Sequence, residues 1–186
     1  MKTKKLVTNA LLIAMHVVLC YVSINFGNMV ITMAGIPIIV GGLLYGPVAG
    51  LEIGLIGSFL NQLLKYGITA TTVLWILPAG IRGLIIGLYA KHKKYRLSKT
   101  ETLGILLLSG VVVTTLNTAV MYIDSKLYGY YSWQYVFGAI VFRYISAVVT
   151  NVIFAAILPT LMKYLNVFRI HDKEETKEKY HMGKVR

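Results

Sequence analysis

Amide, hydroxyl, indole and guanidinium side chains recur at helical spacing within otherwise apolar stretches of the sequence. Asn61 and Gln62 lie on one helical face of one stretch, and Thr71, Trp75 and Arg82 follow a single stripe in the next. Polar groups in hydrocarbon are costly unless they are paired or line a cavity, so these positions are candidates for ligand contact. A small-molecule pocket combines such aromatic walls with a few orienting polar groups.

Two later apolar stretches carry further candidates. Asn117 and Met121 lie on one helical face, and Arg143 lies in the last stretch. One interpretation pairs Glu52 with Arg82 or Arg143 as a structural bridge, which leaves the second arginine for an anionic substrate group or backbone carbonyls. Hydrogen bonding to a neighbouring helix is the alternative for the amides. The candidate substrate-binding residues are Asn61, Gln62, Thr71, Trp75, Arg82, Asn117, Met121 and Arg143.

Sequence signals of catalysis or metal binding are absent. The chain contains no G-x-x-x-x-G-K-[ST] phosphate loop, no H-E-x-x-H and no G-x-S-x-G motif. His16 and Cys20 share a helical face, but two ligands do not form a metal site, and a packed or weakly bonded histidine is the better interpretation. We therefore expect no enzymatic activity, no catalytic residue, no metal site and no cofactor bound by this chain.

The composition indicates which kind of secondary structure holds the candidate binding residues. Of the 186 residues, 56% are hydrophobic and 14% are charged, whereas roughly a quarter are charged in an average soluble domain. A membrane-spanning helix needs about 20 apolar residues. We predict an all-α integral membrane protein, with a six-helix membrane domain at 1–170 and a mixed-charge cytoplasmic tail at 171–186. The six spans are predicted at 6–24, 29–46, 47–65, 71–90, 103–123 and 134–165.

Basic residues are distributed unevenly around these segments. The net charge is +12, and most of the 19 Lys and Arg residues lie before the first segment, between the fourth and fifth, or after the sixth. With an even number of spans these regions share one side of the membrane, and basic flanks face the cytoplasm. Both termini are therefore predicted to be cytoplasmic in the plasma membrane. Because long apolar runs separate the basic clusters, we interpret the basic residues as flanks of membrane segments beside the lipid bilayer. The same pattern excludes a nucleic-acid partner.

Glycines and other small residues mark turns and close helix contacts. Gly27-Asn28 and Gly46-Pro47 are predicted turns, and the second leaves almost no loop between two segments. Small residues at every fourth position let helices approach closely, most economically within one bundle. The stripes consist of Gly46, Gly50 and Gly54 in the third segment and Gly80, Gly83 and Gly87 in the fourth.

Several of these features together resemble a known transporter family. Ala10 and Ala14 lie near the predicted cytoplasmic end of the first segment, and Ile36–Gly50 forms the junction of the second and third. The pair Ser23-Ile24 and the run Leu77–Leu84 extend the likeness. Over residues 5–165 the chain resembles the S component, or substrate-binding subunit, of an energy-coupling factor (ECF) transporter, in its folate-type branch.

The resemblance implies a transport function with partner proteins. An S component captures a water-soluble vitamin from outside the cell, in a pocket closed by external loops. The resemblance implies that Ala10 and Ala14 dock on a transmembrane T component and that two cytoplasmic ATPase subunits use ATP to drive uptake. It also implies a pocket near Asn61, Gln62, Trp75, Arg82 and Asn117.

The sequence leaves the vitamin open. Folate binders of this branch have an arginine just before the Ser-Ile pair, where this chain has Cys20-Tyr21-Val22. A smaller heterocycle such as hydroxymethylpyrimidine or pyridoxine suits amides, threonines and one tryptophan at least as well as a folate-like compound. Pantothenate is an alternative, since its carboxylate would use Arg82 or Arg143.

A rival hypothesis from another class is a membrane assembly or scaffold protein whose glycine stripes bind partner helices. It predicts that the polar cluster is satisfied within the bundle and leaves no cavity. A substrate-binding subunit instead requires a cavity lined by polar groups.

Overall fold

The apolar segments fold mainly into helices, and one of them begins as a β-strand. The computed structural model describes the backbone of residues 2–26 and 29–182 and the side chains of residues 5–24 and 31–163. The elements in chain order are α1 (Lys2–Leu19), β1 (Ser23–Phe26), β2 (Met29–Thr32), α2 (Gly35–Tyr45), α3 (Pro47–Tyr66), α4 (Thr72–His92), α5 (Lys99–Leu127), α6 (Trp133–Phe137) and α7 (Ile140–Met182). The described residues are mostly helical, as the predicted all-α class requires, but β1 and β2 form a short hairpin that this prediction did not include.

Among the described residues, four helical stretches are long and apolar enough to cross a membrane. They are α3, α4, α5 and the stretch Trp133–Lys163, which contains α6 and the first part of α7. The apolar parts of α1 and α2 are shorter. That the chain has six membrane spans therefore stays a prediction, and so does the cytoplasmic location of both termini.

The predicted continuous span at 29–46 is wrong. Its first residues form β2, which pairs antiparallel with β1 from Ser23↔Thr32 onwards, because β-branched residues such as Ile24 and Ile31 favour extended backbone. The remaining helix α2 has 11 residues and is about 17 Å long, short of the roughly 30 Å of a hydrocarbon core. The predicted turn at Gly27-Asn28 lies outside the described residues.

The turn between α2 and α3 consists of one residue, Gly46. Its φ of +90° lies in a region that glycine enters without steric cost. Pro47 follows as the first residue of α3, where its missing N–H leaves no helical hydrogen bond unmade. The predicted near-absence of a loop at Gly46-Pro47 is confirmed.

Helices α3 and α4 pack with their backbones in contact. A Cβ atom on Gly83 would overlap the carbonyl of Gly50, and one on Gly54 would overlap the carbonyl of Ala79. The glycine stripes therefore serve packing inside the bundle, as expected for small residues at a helix interface. Beside this contact lies a core of fully buried aliphatic side chains from three helices, including Ile39, Ile53 and Ile86.

Side-chain contacts define two ends of the bundle. At the first end, called here the hairpin end, Lys65 near the end of α3 donates to the carbonyl of Cys20, just after α1. At the opposite end, called the basic end, Lys93 pairs with Glu101 at 2.6 Å, and Glu101 also completes a capping box with Ser98 at the start of α5. Helix α7 runs for 43 residues, about 65 Å, and so is long enough to extend beyond a bilayer.

Candidate functional site

A cavity of about 230 Å³ lies between six elements toward the hairpin end of the bundle. Residues near the end of α1, in β2 and at the start of α2 form one side, and α3, α4 and α5 form the other. Its lining mixes apolar, aromatic, amide, hydroxyl and cationic groups, as a ligand pocket requires. The lining residues are His16, Thr32, Ala34, Gly35, Ile38, Ser58, Trp75, Pro78, Ala79, Arg82, Val113 and Asn117.

Helix α4 contributes the longest wall of this cavity. Trp75, Pro78, Ala79 and Arg82 all line it, and their spacing places them on one face of a helix. The predicted stripe of α4 is therefore a continuous ligand-facing surface, with an aromatic ring nearer the hairpin end and a guanidinium about two turns away.

Arg82 brings a positive charge that the cavity does not neutralise. Its Nη2 donates to Asn151 Oδ1 on α7 at 2.6 Å, and its guanidinium lies 5.5 Å from the ring centre of Phe154. The Nε atom is buried without a hydrogen-bond partner among the described residues, and none of the described lining residues carries a carboxylate. A buried donor without an acceptor is costly, so this corner is suited to a ligand that supplies an electron-rich acceptor.

Gly35 is what allows the guanidinium to lie so close to the start of α2. A Cβ atom at this position would be 2.7 Å from Arg82 Nη1 and 2.8 Å from Phe154. Both distances are well inside van der Waals contact, so a larger residue at position 35 would displace the arginine.

His16 faces Arg82 from the other side of the cavity as a hydrogen-bond acceptor. Its Nδ1 lies 2.7 Å from the carbonyl oxygen of Ala34, and because a carbonyl only accepts, Nδ1 carries the proton. In the neutral ring Nε2 is then an acceptor, and it lies 3.4 Å from Ser58 Oγ and 3.5 Å from Cys20 Sγ. The expectation of a bonded histidine is confirmed, but neither His16 nor Ser58 was among the predicted substrate-binding residues.

Asp124 near the end of α5 organises the hairpin end of the site. Thr71 and Trp75 both donate to its Oδ1, the indole at 3.3 Å, and the Tyr130 hydroxyl donates to its Oδ2. The hydrogen bond to Asp124 also raises the pKa of the Tyr130 phenol. Asp124 follows Asn117 and Met121 at helical spacing in the sequence, and that shared helical face was the available signal for its role.

Three of the predicted substrate-binding residues line the cavity, and five do not. Trp75, Arg82 and Asn117 come together there. Thr71 is buried against Asp124, and Arg143 donates to the carbonyls of Val136 and Tyr135 at 2.9 and 3.2 Å. The remaining three residues outside this lining are Asn61, Gln62 and Met121.

Asn61 nevertheless keeps an unused hydrogen-bonding atom. Its Oδ1 is buried and has no partner in the part of the chain that the structure describes. It lies one helical turn from Ser58, which does line the cavity. Ligand contact by Asn61 therefore stays a prediction.

The interpretation that paired Glu52 with an arginine is wrong. Glu52 accepts a hydrogen bond of 3.0 Å from Asn9 on α1, whereas Arg82 bonds Asn151 and Arg143 bonds backbone carbonyls. Glu52 on α3 thus bonds α1 through Asn9, and it forms no ion pair with either arginine among the described residues.

Helix α1 presents an exposed apolar face. Ala10 and Ala14 are both exposed, and they lie beside the exposed side chains of Val7, Leu11 and Val18. Small residues within such a stripe permit close approach by another helix. The predicted docking surface is therefore available on the outside of the bundle.

Comparisons with known proteins agree with this architecture. The model of the family "ECF-type riboflavin transporter, S component" matches residues 1–164. A UPF0397 protein of Streptococcus thermophilus (strain CNRZ 1066) is 28% identical over 148 residues, 74% of each chain. A UPF0397 protein of Lactobacillus johnsonii is 48% identical over 46 residues, 25% of this chain and 24% of the relative.

A solved structure of the S component of a bacterial ECF transporter shares the fold. It superposes with a TM-score of 0.65 at 22% sequence identity and covers 89% of this chain and 99% of that one.

Proposed function

The chain belongs to the family of S components of ECF-type riboflavin transporters, and it is thus a substrate-binding subunit of a membrane transporter. From that premise we propose that it captures a small water-soluble heterocyclic vitamin or vitamin precursor from outside the cell. The expected S-component identity is confirmed, while the folate-type branch stays a prediction because the matching family bears the name of riboflavin.

The observation that carries the proposal is the cavity that unites Trp75, Arg82, Asn117 and His16. An indole ring can stack on a flat heterocycle. Arg82 supplies a donor, His16 Nε2 an acceptor, and Asn117 either one. Asn117 makes no hydrogen bond with the described residues, so its amide is free to orient a substrate.

The size of the cavity supports a one-ring substrate. Pockets that bury drug-sized ligands measure about 300–1,000 Å³, and this cavity measures about 230 Å³. Hydroxymethylpyrimidine and pyridoxine each have a single ring with donors and acceptors, whereas riboflavin has three fused rings and folate has a long glutamate-bearing tail. We therefore favour a compound resembling hydroxymethylpyrimidine or pyridoxine over riboflavin and folate.

Pantothenate is the second candidate, and one observation favours it. It carries a carboxylate, and the positive charge of Arg82 meets no carboxylate among the described lining residues. An ion pair in this buried setting would be worth more than one at an aqueous surface, provided that it is fully hydrogen-bonded.

The proposal includes partners that perform the energy-consuming step. A transmembrane T component would bind the exposed face around Ala10 and Ala14, and two cytoplasmic ATPase subunits would hydrolyse ATP. The chain itself would bind no cofactor and carry out no reaction. In this proposal the protein lies in the plasma membrane with both termini in the cytoplasm.

The scaffold hypothesis fits the molecule less well. It requires glycine stripes that face partners, yet Gly50 and Gly83 contact each other inside the bundle. It also requires a satisfied polar cluster without a cavity, yet Arg82 Nε lacks a partner among the described residues. Both observations support the substrate-binding subunit.

Identification of the bound compound tests the proposal directly. The purified protein is analysed by mass spectrometry for co-purifying small molecules and titrated calorimetrically with hydroxymethylpyrimidine, pyridoxine, pantothenate, riboflavin and folate. We expect saturable binding of a one-ring compound. The absence of binding to any of the five would contradict the function, and tightest binding of riboflavin or folate would contradict only the size argument.

A matched pair of variants tests whether the substrate binds in this cavity. Trp75→Ala should weaken binding at least about tenfold, or about 1.4 kcal/mol, because it removes the aromatic wall. Trp133→Ala is the control, since Trp133 is 65% exposed, packs against Phe137 and does not line the cavity. Equal losses in the two variants would show that the substrate binds elsewhere.

A further inference from the structure

A second cavity, of about 180 Å³, lies at the basic end of the bundle and shares no lining residue with the cavity at the hairpin end. Parts of α2, α5, α7 and the connection between α4 and α5 surround it. Its floor is apolar and buried, since Leu43 and Leu158 are 5% and 1% exposed. Its rim is polar, since Tyr95 and Lys99 are exposed and Thr102 is half-buried. This basic-end cavity therefore has an apolar interior and a polar mouth.

The backbone between α4 and α5 holds the rim in shape. Lys94 and Tyr95 have φ angles of 52° and 60°, in the left-handed region that residues other than glycine seldom enter. The N–H of Tyr95 donates to the carbonyl of Ala90 at 2.7 Å. The Tyr95 hydroxyl lies against the turn between α2 and α3, where a Cβ atom on Gly46 would be 2.7 Å away. Such a backbone conformation persists only where its surroundings enforce it, so the rim is a built part of the fold.

Lys99 gives the rim a positive charge that the neighbouring side chains do not neutralise. None of the lining residues is acidic, and the nearby carboxylate of Glu101 pairs with Lys93 at 2.6 Å and accepts from the N–H of Ser98. Lys99 forms no ion pair in the part of the chain that the structure describes. The stretch 91–101 contains five basic residues and one acidic residue, and basic clusters next to membrane helices attract anionic lipid headgroups.

Thr102 offers the cavity an acceptor and not a donor. Its Oγ1 donates to the carbonyl of Ser98 at 2.9 Å. A hydroxyl has one proton, so the lone pairs of Oγ1 remain for a ligand. A phosphate diester carries no donor and would bond Lys99 alone. A ligand with both a phosphate and a hydroxyl would bond Lys99 and Thr102 together.

We propose that the basic-end cavity binds an anionic phospholipid with a hydroxyl-bearing headgroup, such as phosphatidylglycerol. The phosphate accepts from Lys99, the headgroup hydroxyl donates to Thr102, and the first methylene groups of one acyl chain lie against Leu43 and Leu158. The apolar floor favours a lipid over a soluble anion, because only the lipid brings an apolar group to fill it. The rest of the molecule stays in the surrounding bilayer, since about 180 Å³ holds only part of a phospholipid.

Native mass spectrometry of the full-length protein in detergent tests the headgroup preference. Three lipids with identical acyl chains are titrated: phosphatidylglycerol, phosphatidylethanol and phosphatidylcholine. Phosphatidylethanol has the same single negative charge as phosphatidylglycerol but no hydroxyl, and phosphatidylcholine has no net charge. We expect the tightest binding for phosphatidylglycerol and the weakest for phosphatidylcholine. Equal affinities for these two lipids would overturn the site.

A pair of lysine variants tests whether the lipid binds in the cavity. Lys99→Gln should weaken phosphatidylglycerol binding at least about threefold, because a basic residue beside an anionic headgroup contributes directly to its attraction. Lys91→Gln is the matched control, since it removes the same charge from an exposed position at the same end that does not line the cavity. Equal losses in the two variants would show that the lipid follows the overall charge of the basic end and would overturn the site.

Thr102→Val tests the recognition of the headgroup hydroxyl. The unmodified protein should prefer phosphatidylglycerol to phosphatidylethanol about threefold, as expected for one additional hydrogen bond, and the variant should bind both lipids equally. A preference that survives in Thr102→Val would overturn the assigned headgroup contact.

A soluble competitor separates a lipid from a free phosphate ester. Glycerol 3-phosphate has the phosphate and hydroxyl groups but no acyl chain, so a large excess should not displace phosphatidylglycerol. Displacement would overturn the lipid assignment in favour of a soluble ligand. Lys99 does not line the hairpin-end cavity, so vitamin binding should be unchanged in Lys99→Gln, and failure of the lipid site is separable from failure of the proposed function.

Discussion

Arg82 on α4 donates a hydrogen bond of 2.6 Å to the side-chain oxygen of Asn151 on α7. Asn151 is itself fixed, because its Nδ2 donates to the carbonyl of Ala147 at 2.7 Å, and Gly110 on α5 leaves room for it. The plane of the guanidinium is therefore set by a residue that does not line the cavity.

Loss of this acceptor should destabilise the protein. Asn151→Ala leaves one more buried donor of Arg82 unpaired, at a cost of about 1–3 kcal/mol, and thermal denaturation in detergent should show a lower Tm. Asn117→Ala is the control, since Asn117 makes no hydrogen bond with the described residues, and its Tm should be unchanged. Equal Tm values in both variants would show that the Arg82–Asn151 bond adds no stability.

The contact between α3 and α4 should not tolerate a methyl group. Gly83→Ala places Cβ against the carbonyl of Gly50, and overpacking of this kind costs about 1–3 kcal/mol or more. We expect poor yield of folded protein and a lower Tm. Gly104→Ala in α5 meets no atom within 4 Å, so it should be neutral or gain up to about 1 kcal/mol from helix propensity.

The exposed alanines of α1 should matter for uptake and not for binding. Ala10→Trp or Ala14→Trp covers the small-residue surface that a partner helix would approach, so vitamin uptake by whole cells should be lost while the purified variant still binds the vitamin. Ala156→Trp on α7, also at an exposed position, should retain both activities. Loss of binding together with uptake would instead assign these alanines to internal packing.

The orientation of the bundle can be measured with single cysteines. In a Cys20→Ser background, Lys126→Cys at the hairpin end should react with a membrane-impermeant maleimide in intact cells. Lys94→Cys at the basic end should react only after permeabilisation, because basic flanks stay in the cytoplasm. The reverse pattern would place the termini outside the cell.

Much of the secondary structure was predictable, because the order of apolar and polar residues along the chain is read directly from the sequence. The boundaries of α3 and α4 match the predicted spans within a few residues, and the Gly46-Pro47 turn follows from local backbone preferences. The predicted span at 29–46 failed because an apolar run can also fold as a β-strand followed by a short helix. An apolar run of that length does not distinguish the two.

The site was less predictable. Trp75, Arg82 and Asn117 were identified because each is unusual within an apolar helix. His16 and Ser58 were not among the predicted substrate-binding residues, because their contact with each other depends on how α1 packs against α3. Arg143 was a candidate for the same reason as Arg82, yet its guanidinium bonds the carbonyls of Val136 and Tyr135.

By itself, the sequence determined the helical class, the small-residue stripes and the resemblance to an S component, since composition and spacing carry that information. Only the tertiary structure decided which groups meet: Arg82 with Asn151, Glu52 with Asn9, and Asp124 with Tyr130. The physical reason is that each helix can rotate about its axis without changing its own hydrogen bonds. Packing against neighbouring helices selects one rotation, and that rotation decides which polar groups face the cavity.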